Sequence, residues 1–427
     1  QTRACLIGPG QTGPEFSLRL DKPNQTALLE LGSLKLVLQP NAWSDWTSLN
    51  FQSPAGPTPG MLRFCLLSIE PLRLYASPVN FDPGQPAQTI STPANYAPHL
   101  CRCCGPFHTQ GMAEDTKALG SGTLDDEQYL AQSALVAQES RRLFEVGLEE
   151  FQGGLLFCYS SSIDLQSHMY WGAWDAQHPL HQKAWAQKHP DVIEKAYQEA
   201  DAWVGRALQY RQEHPERHLE IVALSDHGFA PFYRSFDLNA WLAEQGYLSL
   251  KIDSPLESAD WSASKAYAVG FNGLYLNRVG REKSGILDSQ QADKLALELQ
   301  QKLLEVQDQG KPVFSRILLG KQVYLGSRAS QSPDLILGYR RGYRAAWETA
   351  LGQRSATILR DNLEHWSGDH LIDPQLVPGV LFYSRKLGQG SAGPSLQEIG
   401  PSIVQYFLGP PSGPANPSSS ESTPLFE

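Results

Sequence analysis

Three short stretches of this chain place carboxylates beside imidazoles. IDLQSH holds Asp164 and His168 four residues apart, LSDHGF holds Asp226 next to His227, and HWSGDHLIDP holds His365, Asp369 and His370. A hard oxygen together with a neutral imidazole nitrogen is the donor mixture that suits zinc and other first-row divalent ions. Each stretch alone has a plainer reading. Asp164 and Ser162 suit a helix start, Asp-His-Gly suits a turn with the glycine at positive φ, and a lone histidine near a core strand is commonly a hydrogen-bonded structural residue. The recurrence of the same pairing at separate places is what points to a metal site.

The elements that must position these residues are legible as alternating runs. LLFCYS (155–160) precedes the first pair, LEIVAL (219–224) precedes the second, and VPGVLFYS (377–384) follows the third. Read as buried strands, these runs put the polar residues at strand ends, where open α/β sheets carry their ligand sites. Between them, residues 124–151, 191–214 and 290–309 have apolar residues at helical spacing. PVFSRILLG and SPDLILGY read as further strands, so the texture is that of a layered α/β fold. Residues 1–110 differ. Short period-two runs such as FSLRL and LKLVLQ, separated by Pro and Gly, read as antiparallel β-structure. Residues 410–427 are a Pro/Ser-rich tail that cannot bury a core.

With 427 residues, 41% of them apolar, the chain can bury one large core, or a core and a smaller appended domain. A formal charge of -10 argues against a nucleic-acid duplex or an anionic membrane as the main partner, since both require basic surfaces. No run approaches the roughly eighteen apolar residues of a membrane span. The chain opens QTRACLIGPG, without an initiator Met or a visible signal peptide. Compartment is therefore not readable; an export signal upstream would place the protein in the periplasm or outside the cell. Six cysteines include the cluster Cys101, Cys103 and Cys104, for which structural thiols, a local disulfide and a metal site all stand open. No second Cys-x-x-Cys pair accompanies them.

The order Asp-x-x-x-His, then strand–Ser-Asp-His-Gly-Phe, then a distant Gly-x-His resembles the alkaline phosphatase superfamily, and most closely its type I phosphodiesterase/nucleotide pyrophosphatase family. The resemblance runs from residue 125 to 409 and includes AYAVGFNGLYLN, PDLILGYRRGYR and WSGDHLIDPQLVPGVLFYS. It implies a three-layer α/β/α core over residues 111–409, with the β-rich residues 1–110 as an inserted domain. It implies two divalent ions, zinc first among them, clamping the attacking and leaving oxygens of a phosphoryl displacement. It assigns Asp164, His168 and His370 to one ion, and Asp226 and His227 to the other. The substrate implied is a small phosphodiester or nucleotide-like molecule.

The resemblance also implies a first-strand Asp and a Thr or Ser nucleophile, and neither context is present. Asp45, Thr47 and Thr92 are tempting substitutes, but residues 30–47 read as a β-hairpin with no helix following. The expectation is that the segment holding both precedes Gln1. His178 and His181, and with them Asn272, Arg341 and Arg344, are candidate substrate contacts. Two other readings remain: a monoesterase, phosphomutase or sulfatase of the same superfamily, and a non-catalytic binding protein that keeps a metal.

Overall fold

The computed structural model describes residues 2–8, 11–53, 56–385, 393–409 and 425. The tail expected over 410–427 lies outside the described residues, Leu425 apart, as does the side chain of Cys5. The chain divides into two compact units: Gln1–Leu165 with Lys195–Leu219, and Gln166–Glu194 with Glu220–Glu427.

In the first unit the period-two runs form antiparallel strands. Leu34–Leu38, Thr26–Leu31, Gln11–Asp21, Thr47–Ser53 and Gly56–Leu62 lie side by side in that order, with Thr2–Gly8 also paired to Gln11–Asp21. Alternation places Phe16 and Leu18, Ala27 and Leu29, and Leu49 and Phe51 together in one core. Thr47 therefore begins a strand rather than a helix, and its side chain is buried. The helix Asp126–Glu150 follows, opened by a reciprocal capping box between Asp125 and Gln128.

The second unit is built on the strands Ala266–Ala268, Gly273–Leu276, Leu335–Tyr339 and Phe314–Leu319, all antiparallel neighbours. Helix Ser289–Leu304 buries Ala292, Leu295, Ala296, Leu299 and Leu303, the helical spacing that its sequence requires of a core-facing stripe. A separate sheet centres on Ala230–Phe236, which pairs in parallel with Gly342–Ala345 and antiparallel with Leu359–Asp361 and Gly368–Asp369.

The chain is thus α/β, but the runs expected as buried strands behave otherwise. LLFCYS forms no strand, and Leu155, Phe157 and Tyr159 are exposed. LEIVAL and VPGVLFYS shrink to Val222–Leu224 and Leu381–Tyr383, paired only with each other among the described residues. Val222, Leu224, Val380 and Phe382 consequently lie at the surface. Apolarity supplies a reason for burial, yet a strand forms only where a ladder partner satisfies its backbone.

Candidate metal centre

Three segments meet at the histidines. The first is the helix Ser162–Trp174. Four-residue spacing puts Asp164 and His168 on one face of it. Asp164 sits in the first turn, where the helix dipole favours a carboxylate. The second segment is the lead-in to Ala230–Phe236, which carries Asp226 and His227. The third is the two-residue strand Gly368–Asp369, whose register pairs Ala230 with Asp369 and Pro231 with Gly368. That ladder carries His370 alongside His227, although 143 positions separate them in the sequence.

Ligand atoms of Asp164, His227 and His370 all lie within 4.8 Å of one another. The His227 and His370 rings stack with centroids 3.5 Å apart and planes 11° apart. Two imidazolium rings in that arrangement would repel. Burial, and next the nearby His227, lower the pKa of His370, which favours the neutral, ligand-competent form.

His168 is 3% exposed, stacked on Trp366 at 3.8 Å and 5.2 Å from the His370 ring. Burial takes its pKa down to about 3, so it is neutral at any working pH. Its Nδ1 lies 2.8 Å from the Gly368 carbonyl, which can only accept; Nδ1 is therefore the protonated nitrogen and the lone pair is on Nε2. His227 repeats this pattern, with Nδ1 3.1 Å from the Gly228 carbonyl. Backbone carbonyls that fix the tautomer in this way are the usual support of a metal-binding histidine. Asp226 is the most open of the set, its Oδ2 3.6 Å from His227 Nε2.

Behind His370 stands a buried ion pair. Asp369 accepts the backbone N–H of His370 (2.7 Å) and of Leu371 (2.9 Å), and the Trp366 indole N–H (2.8 Å). Arg344 Nε lies 2.6 Å from its Oδ2, both side chains being 1% exposed. Burial pushes the Asp369 carboxyl up, but Arg344, His168 and the donors just named outweigh it and hold it low. The guanidinium is enclosed by Trp347, Phe271 and Phe232, with ring centroids at 4.1, 4.4 and 5.0 Å.

Other candidates take different places. His178 is an interior residue: Nε2 bonds the Phe232 carbonyl at 3.0 Å and Nδ1 accepts from the Leu180 N–H at 3.1 Å, so neither nitrogen is left for a substrate. The Asn272 amide donates to the carbonyls of Leu337 (2.7 Å) and Leu371 (3.3 Å), tying down the chain that follows His370. Arg344 is the buried partner of Asp369 rather than a phosphate contact, and Arg341 donates to the Leu376 carbonyl. His181 Nδ1 lies 3.3 Å from the Gly172 carbonyl.

Two glycines matter for close approach, and for Gly228 this replaces the positive-φ turn that Asp-His-Gly suggests. Gly228 has no positive φ; a Cβ there would meet the Pro378 carbonyl oxygen at 2.5 Å. At Gly368 a Cβ would meet the Ser167 carbonyl oxygen at 2.4 Å, so only glycine lets the helix and the His370 segment approach this closely. The support roles of Trp366, Gly368 and Arg344 were not readable in advance, because each depends on a contact distant in sequence.

The donor set is chemically suited to a divalent ion: a carboxylate for charge, neutral imidazoles for geometry, and second partners that fix both. No helix among the described residues is long and apolar enough to cross a membrane. Neither a curated protein nor a solved structure matches the chain. The family described as type I phosphodiesterase / nucleotide pyrophosphatase matches residues 87–359, which include Asp164, His168, Asp226 and His227 and stop short of His370. With more than half of its length in that match, the chain belongs to the type I phosphodiesterase/nucleotide pyrophosphatase family.

Proposed function

We propose that the protein cleaves phosphodiester or pyrophosphate bonds in small, nucleotide-like substrates, using two divalent ions, zinc by preference, held by Asp164, His168, Asp226, His227 and His370. The family is one of metal-dependent hydrolases acting on such substrates. The observation that carries the reading for this chain is the position of His370. It lies beyond the matched range, yet its ring is within ligand distance of Asp164 and His227. In this reading residues 111–409 supply a three-layer core and residues 1–110 are an inserted region.

Divalent ions held by these donors supply the positive charge that offsets charge building on phosphoryl oxygens. The chain's own residues do the rest. Asp164 and Asp226 offset the cations, and the backbone carbonyls of Gly368 and Gly228 hold His168 and His227 in the tautomer that presents Nε2. Asp369 fixes the backbone at His370. The hydroxyl nucleophile is not assigned to Thr47, which is buried in a strand pair.

The test is hydrolysis of bis(4-nitrophenyl) phosphate against 4-nitrophenyl phosphate by the zinc-loaded protein, its chelated form and His370→Ala. The reading expects the diester to be preferred and its cleavage to vanish on chelation and in the variant. A preference for the monoester would favour the monoesterase branch, and diester cleavage that persists in chelator and in His370→Ala would overturn the reading.

A further inference from the structure

A second group of side chains has ligand chemistry, and it lies wholly in the first unit. Helix Tyr96–Cys104 carries His99 and Cys103 four residues apart, one turn along the same face. The last residue of the long helix, Glu150, reaches them: its Oε1 is 2.5 Å from His99 Nε2. Cys103 Sγ is 3.7 Å from that same nitrogen, and the ligand atoms of all three residues lie within 4.8 Å of one another.

These separations can be set against the geometry of an ion. Bond lengths of about 2.0–2.3 Å give a tetrahedron whose edges are roughly 3.3–3.8 Å. The nitrogen–sulfur separation of 3.7 Å already matches such an edge. The carboxylate–imidazole separation of 2.5 Å is a hydrogen bond, and the carboxylate must swing out by about 1 Å to admit an ion. Both side chains are more than a third exposed, so that swing meets little packing.

The neighbouring thiols do not compete for the same place. Cys104 Sγ turns back to the Leu100 carbonyl at 3.1 Å, and Cys101 Sγ packs against Gly84, 3.5 Å from where a Cβ would stand. Cys101, Cys103 and Cys104 are all free thiols, so the CRCC cluster is not closed by a local disulfide. The sequence offers no second cysteine pair, but the missing donors need not be cysteines. An imidazole from the same helix and a carboxylate from another complete a mixed set.

We propose that His99, Cys103 and Glu150 form a second divalent-metal site, separate from the Asp164 centre and suited by its thiolate to zinc or cobalt. The ion would staple the end of helix Tyr96–Cys104 to the end of helix Asp126–Glu150, with a fourth position open to solvent. Such a site is structural, since nothing in it lies at the residues that hold the phosphohydrolase donors.

The test loads the full chain, under reducing conditions, with cobalt(II), whose bond to a thiolate gives an intense charge-transfer absorption that oxygen and nitrogen ligands do not. The band is expected in the wild type and in His370→Ala. It is expected to be absent in Cys103→Ser and to need at least tenfold more cobalt in His99→Gln. No band in the wild type, or a band that survives Cys103→Ser, would overturn the proposal. Far-ultraviolet circular dichroism of both variants in chelator, expected to equal that of the wild type, separates loss of the ligand from loss of the fold.

Discussion

Two buried carboxylates, one in each unit, are held in nearly the same way and do different things. Glu139 accepts from the Trp46 indole (2.7 Å), the Arg63 guanidinium (2.7 Å) and the His108 backbone N–H (2.8 Å). Asp369 likewise has a tryptophan indole, an arginine and the backbone N–H of a histidine. The difference is the histidine ring. His108 turns Nδ1 onto the same carboxylate at 3.0 Å, whereas the His370 ring stacks on His227 within ligand distance of Asp164. One arrangement closes on itself, the ring and the backbone N–H of His108 both meeting the same carboxylate. The other uses the anion to fix a backbone and presents the ring outward, which is what a ligand needs.

The largest effects that could break this comparison come from the arginines. Arg344→Ala and Arg63→Ala should each cost about 3–5 kcal/mol, because a buried carboxylate loses its counter-charge. Urea unfolding measures both. Only Arg344→Ala should also weaken ion binding at the Asp164 centre, and equal weakening by Arg63→Ala would dissolve the distinction. Next comes Asp369→Asn, which keeps the volume and removes the charge. It should lower zinc affinity roughly 10–100-fold, measured by calorimetric titration in a Cys103→Ser background so that the sulfur-containing group does not contribute. Glu139→Gln in the same background should leave that affinity unchanged.

A smaller effect follows from proton linkage. Burial alone would push the Glu139 carboxyl up, but hydrogen bonds from His108 and Arg63 outweigh it and hold its pKa below the usual carboxylate range. A group depressed on folding adds stability that is present above its unfolded pKa and is lost as pH falls through the folded one. The melting temperature of the wild type should therefore fall towards that of Glu139→Gln as the solution is acidified below the ordinary glutamate range. The smallest expected effect is at Glu114, buried nearby with Oε2 making no hydrogen bond. Burial raises its pKa, so ionisation at neutral pH works against the fold. Glu114→Gln should melt higher than the wild type at neutral pH, and the gap should close in acid.

What could be read in the sequence divides along the range of the interactions. Helices Asp126–Glu150 and Val192–Glu213 fall within their amphipathic runs, and Ser289–Leu304 begins one residue before its own, because helical spacing and caps are local. LLFCYS has the local pattern of a strand but forms none, because a strand needs a ladder partner, which no local pattern reports. The donor types of the metal centre were legible from Asp164, His168, Asp226, His227 and His370. The expected convergence is seen for the ligand atoms of Asp164, His227 and His370, which lie within 4.8 Å of one another; the pairing of Ala230 with Asp369 that sets His370 beside His227 has no local signal. At CRCC the cysteine spacing carries no sign of His99, four residues before Cys103 on the same helix, or of Glu150 on another.

The most direct measurement is anomalous X-ray scattering at the zinc edge from crystals of the full chain grown with zinc. The account predicts an anomalous peak bonded to Asp164, His227 and His370. Zinc found elsewhere on the protein, with no peak among those three residues, would contradict it.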